Sequence, residues 1–96
     1  MILVVGHLTV CPGHRDAFVA RSAEAVRLAR RAPGCLDFSV SPDAVDPDRV
    51  NVSEAWASRE ALEAFRGSGP DDGLAALVER WDVSEHEVPT PPHRSS

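Results

Sequence analysis

The sequence predicts an α+β domain with the element order β-α-β-β-α-β, and three features carry that expectation. Residues 2–10 (ILVVGHLTV) form an apolar, β-branched run stopped by Cys11-Pro12-Gly13. Apolar positions at helical spacing follow over residues 14–32. Two segments of period-two alternation, 35–40 and 50–57, then flank a loop rich in Pro and Asp. With a second helical stretch and a last strand ending near residue 88, this is the order of a ferredoxin-like split βαβ arrangement. Such a chain forms a four-stranded antiparallel sheet with its helices on one face.

The elements are justified in order. The first run is apolar at both parities, as in a strand covered on both sides. In the first helix Phe18, Ser22, Ala25, Val26 and Ala29 make the inward stripe, while Glu24, Arg27, Arg30 and Arg31 lie on the other side. Asp16 sits near the positive end of the helix dipole, and Arg30 and Arg31 near the negative end. Pro33 disfavours helical geometry at Ala32, and Gly34 supplies a positive φ. In the second strand Leu36, Phe38 and Val40 alternate against Cys35, Asp37 and Ser39. Residues 41–49 read as a hairpin loop with Pro47 at the second position of a type I turn. The third strand sets Val50, Val52, Glu54 and Trp56 on one face and Asn51, Ser53, Ala55 and Ala57 on the other. Ser58 caps a two-turn helix with the stripe Ala61, Leu62 and Phe65, ending at Gly67. Leu74, Leu77, Val78 and Trp81 recur at i, i+3, i+4 and i+7, which predicts another short helix, capped by Asp71 or Asp72, running into the last strand near Trp81. One domain is expected over residues 1–88, with an extended or disordered tail over 89–96 (PTPPHRSS).

At 96 residues there is no room for a separate cofactor-binding module. A domain this small buries only about two-thirds of its unfolded surface, so a partner subunit would help it. Ten basic residues, all Arg, against 15 acidic ones argue against a nucleic-acid surface. No apolar stretch approaches the roughly 20 residues of a membrane span, and no signal peptide is evident, so a cytoplasmic protein is expected. Cys11 and Cys35 read as free thiols. In the first strand Leu3 and Val5 share a parity with His7 and Thr9, opposite Val4, Leu8 and Val10. Whichever set the helices cover, the other is expected to stay apolar, which predicts two sheets packing face to face in a homodimer.

Several local motifs resemble the antibiotic biosynthesis monooxygenase family of dimeric α+β barrels. They are Leu8-Thr9-Val10 with Pro12-Gly13, Ala32-Pro33-Gly34-Cys35-Leu36, the hairpin Asp46-Pro47-Asp48-Arg49, and Glu54-Ala55-Trp56-Ala57-Ser58-Arg59-Glu60-Ala61-Leu62. The resemblance covers about residues 2–88. It implies a pocket between each subunit's sheet and helices, in which some members oxygenate phenolic or quinol-like polyketides without metal or flavin, while others degrade haem. In the cofactor-free reaction an electron-rich aromatic anion passes an electron to molecular oxygen, so the protein has to bind that anion in a water-poor cavity. The resemblance therefore implies no cofactor, a small aromatic ligand, and oxygen as co-substrate. A non-catalytic ligand-binding or structural barrel, and a polyketide cyclase-like enzyme, are the competing classes. The chain has no Tyr, and Phe65 stands where many relatives carry His.

The catalytic candidates are Trp56, Glu54 and His86. Trp56 matches the family's strand-end Trp and either walls the pocket or is a large core residue. Glu54 shares its face and is either a base with a raised pKa or one half of an ion pair with an Arg. His86 and His7 lie on strands, as bases or as solvated imidazoles. For substrate binding the candidates are Arg21, at the edge of its helix's apolar stripe, together with Phe65, Leu62, Phe38, Phe18 and Asn51. Arg21 either reaches a ligand anion or snorkels to water. Asn51 should face the side of the sheet opposite Trp56. Glu85-His86-Glu87 fails as a metal site because strand alternation points His86 away from both carboxylates.

Overall fold

The computed structural model describes residues 1–68 and 73–89; for Ser68 it describes the backbone. Its elements are β1 (Ile2–Val10), α1 (Arg15–Arg31), β2 (Cys35–Pro42), β3 (Arg49–Trp56), α2 (Arg59–Ser68), a single 3₁₀ turn (Leu74–Leu77) and β4 (Val78–Glu87). The strands form one antiparallel sheet in the order β2-β3-β1-β4, the predicted ferredoxin-like topology. The Asp71 or Asp72 cap falls outside the described residues, as does the predicted tail beyond Pro89.

The boundaries follow from the local chemistry already named. Gly34 leaves α1 at φ +82°, and a Cβ there would lie 2.6 Å from the Cβ of Ala61, so this turn seats directly on α2. The Ala61 amide donates to Oγ of Ser58 at 3.2 Å, the predicted N-cap. In the β2–β3 loop the Arg49 amide donates to the Asp46 carbonyl across Pro47, and Oδ2 of Asp43 accepts the amides of Val45 and Asp46.

The helices cover the even-numbered face of β1. Ile2, Val4, Leu8 and Val10 are buried with Val50, Trp56, Leu62, Phe18 and Ala29. Leu3, Val5, His7 and Thr9 face the other way, paired in register with His86, Ser84, Asp82 and Arg80 of β4. That open face is half polar rather than apolar, which corrects the expectation from β1 alone: the neighbouring strands supply Asn51, Ser53, Asp82 and Ser84. His7 lies 3.4 Å from Asp82, and Arg80 bonds the same carboxylate at 3.0 Å.

Two bulges change the sequence reading. In β2, Cys35 pairs with Trp56 and Asp37 with Ala55, so Leu36 is an extra residue. It is turned out to 55% exposure while Cys35 packs against the core, which reverses the alternation predicted for the start of this strand. In β4, Val10 pairs with Val78 but Thr9 pairs with Arg80, so Glu79 is the extra residue. Val78 and Trp81 therefore share the helix-facing side at a spacing of three, and that spacing is what imitated a helix. The helix is only the 3₁₀ turn, entered from Gly73 at φ +77° and ended where the Cys11 amide takes the Leu77 carbonyl and draws the chain into the sheet.

Candidate functional site

One row of directly opposed residues crosses the helix-facing side of the sheet: Phe38 on β2, Glu54 on β3, Val4 on β1 and Glu85 on β4. In the next row Gly6 stands between Val52 and Val83 and contributes no side chain. Above these rows, between sheet and helices, lies a cavity of about 520 Å³, a size suited to a small organic ligand. Its walls are apolar, from Val4, Leu8, Val52 and Val83 of the sheet to Phe18 and Ala25 of α1 and Phe38 of β2. Trp81, 61% exposed, also lines it from the edge strand.

Its polar lining consists of Glu54, Glu85, Arg66 and Ser22. The Ser22 hydroxyl donates to the Val19 carbonyl at 2.8 Å, so its proton is already committed within α1. Glu85 accepts from Arg59 at 3.1 Å and from Arg66 at 3.2 Å, one guanidinium on each oxygen. These two partners, Arg59 first, hold its carboxyl below the ordinary value of 4.5. Glu54 behaves in the opposite way. Burial pushes its carboxyl upward, against the hydrogen bond from the Trp56 indole and the charge of Arg66, while the Glu85 charge adds to the rise. The cavity thus holds two carboxylates with divergent acidities, one paired and anionic, the other half-buried and more basic.

The predicted site residues separate into three groups. Glu54, Phe18 and Phe38 line the cavity. Trp56 and Leu62 are 0% exposed and stand behind it. Phe65 joins them in an aromatic cluster, its ring centroid 5.3 Å from Trp56 and 5.9 Å from Phe38. Trp56 is therefore core and not pocket wall, and it reaches the site through its Nε1, which donates to Oε1 of Glu54 at 3.0 Å. Arg21, Asn51 and His86 are elsewhere. Arg21 is exposed on α1, with its guanidinium beside Gly73. Asn51 lies on the open face, bonded to Arg49 and Asp43. His86 is on the same face as Asn51, opposite Leu3 and 2.8 Å from the Ser84 hydroxyl, so strand alternation separates it from Glu54 and Glu85.

Sequence reasoning missed Arg66, Glu85 and Trp81. Arg66 was within reach, because it continues the α2 stripe four residues after Leu62. Glu85 and Trp81 share a parity with Val83, a pattern visible once β4 is started at Val78.

Residues 1–70 match the model of the antibiotic biosynthesis monooxygenase family. The chain belongs to this family. An uncharacterized protein of Synechocystis is 31% identical over 62 residues, which are 65% of this chain and 42% of that relative, so the match spans less than half of the relative's length. A candidate antibiotic biosynthesis monooxygenase from Chloroflexus aurantiacus is 28% identical, with a TM-score of 0.72 over 97% of this chain and 96% of that one. Counterparts from Nitrosomonas europaea (TM-score 0.82, 19% identity, 92% and 98% covered) and Deinococcus radiodurans (0.80, 20%, 100% of both chains) share the fold. Among the described residues of this family member, no helix is long and apolar enough to cross a membrane.

Proposed function

We propose that this family member is a cofactor-independent monooxygenase acting on a small hydroxyaromatic of phenol or quinol type, bound in the cavity between sheet and helices, and that the working unit is a homodimer. The observation that supports this most is Glu54, a half-buried carboxylate made more basic by burial and facing an apolar chamber of ligand size. Glu54 accepts the hydroxyl proton of the bound aromatic. The resulting delocalised anion, screened from water, passes one electron to molecular oxygen, and the radical pair combines into a carbon-bound peroxide. Glu54 returns its proton to the peroxide. The carbon that bears the peroxide then loses its C–H proton, that electron pair forms the carbonyl as the O–O bond breaks, and the departing hydroxide takes up the proton and leaves as water. The substrate loses two hydrogens and gains one oxygen atom; the other oxygen atom departs as water. Arg66, held at the cavity by Glu85, supplies positive charge beside the developing anion.

The test is oxygen uptake with an anthrone-type probe such as dithranol in metal-free buffer. One oxygen molecule consumed per quinone formed is expected, with Glu54→Gln slowing turnover by about 100-fold or more. Uptake no faster than the spontaneous background overturns the oxygenase reading. Saturable quenching of Trp81 fluorescence without turnover would instead favour a binding module.

A further inference from the structure

Trp56 is fully buried and is absent from the cavity lining, yet one hydrogen bond connects it to the cavity's basic carboxylate. Its ring is fixed on several sides: Ile2, Val4 and Leu62 pack with it in one core cluster, Phe65 lies at 5.3 Å, and Phe38 meets it edge-on at 6.5 Å. From this locked ring Nε1 donates to Oε1 of Glu54 at 3.0 Å. The two residues are neighbours on one face of β3, two positions apart, so the strand itself sets their separation. Among the described residues Glu54 takes no other hydrogen bond, and its second oxygen is the atom left for a ligand.

We propose that Trp56 is the positioning residue of this cavity: its indole N–H fixes the Glu54 carboxylate so that Oε2 faces the ligand, while the ring itself never touches substrate. The inference rests on the reading of Glu54 as the proton acceptor. An immobile donor restricts the carboxylate to one orientation, and holding a reacting group near its working geometry removes an orientational cost from the reaction. The other groups acting on Glu54 come from two elements, Arg66 of α2 and Glu85 of β4, while burial raises the Cys35 thiol of β2 and the Glu54 charge in turn adds to that rise. The indole bond opposes the upward push of burial, so it sets the acidity of Glu54 as well as its direction.

The experiment replaces Trp56 with β-(3-benzothienyl)alanine, which keeps the shape of the ring and exchanges the N–H for sulfur. The Glu54 carboxyl is followed by carbon NMR, assigned with Glu54→Gln, and the pH profile of oxygen uptake is recorded beside it. An upward shift of the Glu54 midpoint, with the pH profile moving by the same amount, is expected. An unmoved midpoint in a folded variant overturns the proposal. A second measurement uses the native chain: the Trp56 indole resonance should follow the Glu54 titration and become independent of pH in Glu54→Gln. A flat indole resonance in the native chain also overturns the proposal. If the Glu54 midpoint shifts but no oxygen is consumed by any form, the positioning role stands and the oxygenase reading falls. If the midpoint stays while Glu54→Gln still slows turnover, the reverse holds.

Discussion

At the scale of single residues, Glu54 ties function to stability. Its folded pKa is raised above the ordinary 4.5, so the fold favours the protonated acid. That contribution is fully present below 4.5 and is lost as pH rises through the folded value, where a charge must be held in a partly apolar site. Glu54→Gln should therefore melt close to the native chain at about pH 4 and above it at about pH 8, the gap opening across the titration of the acid. A variant that melts lower at both pH values would show that the carboxylate stabilises the fold. Trp56 is the opposite case. Trp56→Ala should cost about 3–5 kcal/mol, measured by denaturant unfolding, because it empties a fully buried ring site and leaves Glu54 without its donor. The period-two pattern of β3 made it possible to read Glu54 and Trp56 onto one face from the sequence. It could not say that the larger side chain points into the core while the smaller one reaches the cavity, because that choice is made by Leu62 and Phe65 packing from α2.

At the scale of elements, the two edge strands each begin with a bulge, and both misreadings arise there. A bulge places residues i and i+3 on one side of a strand, so Val78 and Trp81 carry the same spacing as a turn of helix. Nothing in the residue types marks Leu36 or Glu79 as the extra one; the register is decided by the partners in β3 and β1. The regular elements were legible because cap, dipole and periodicity agreed, as at α1 and at Ser58. Two glycines test this level in opposite directions. Gly6 has φ +148°, and a Cβ there would lie 2.1 Å from the Asp82 carbonyl oxygen, inside the β1–β4 ladder. Gly6→Ala should cost at least about 2 kcal/mol or prevent folding, with loss of protected β4 amides in hydrogen exchange. Gly67 lies in the last turn of α2, and a Cβ there would meet nothing within 4 Å. Gly67→Ala should stabilise by about 0.5–1 kcal/mol. In the β2–β3 loop Asp43 is held down to about 2 by the amide of Asp46, the amide group of Asn51 and the amide of Val45, with the charge of Arg49 adding to them. Its stabilising effect is present above the ordinary 3.8 and lost as pH falls toward about 2. Asp43→Ala should flatten the acid limb of the stability curve between those values, and an unchanged limb would place the acid sensitivity elsewhere.

At the scale of the whole molecule, the open sheet face decides the proposed dimer. Leu3, Val5 and Ala55 lie together at one end of the two central strands, because Leu3 pairs with Ala55 and Val5 follows on the same side. His7, Asn51, Asp82 and Arg80 continue the face toward its other end. An interface here would join a small apolar centre to a polar field, so the driving force is weaker than β1 alone suggested, and hydrogen bonds from the polar half have to complete it. Val5 is 36% exposed and belongs to the open face, not to the core under the helices. A carboxylate at this position is therefore tolerated by the protomer but would be desolvated between two copies. Sedimentation equilibrium at micromolar concentration should give the native chain twice its mass of 10.3 kDa, and Val5→Asp the single-chain mass with the melting transition of a folded domain. A native chain that sediments as a folded monomer would overturn the dimer. The cavity would then have to work within one protomer, which its lining, drawn from β1–β4, α1 and α2 of a single chain, already permits.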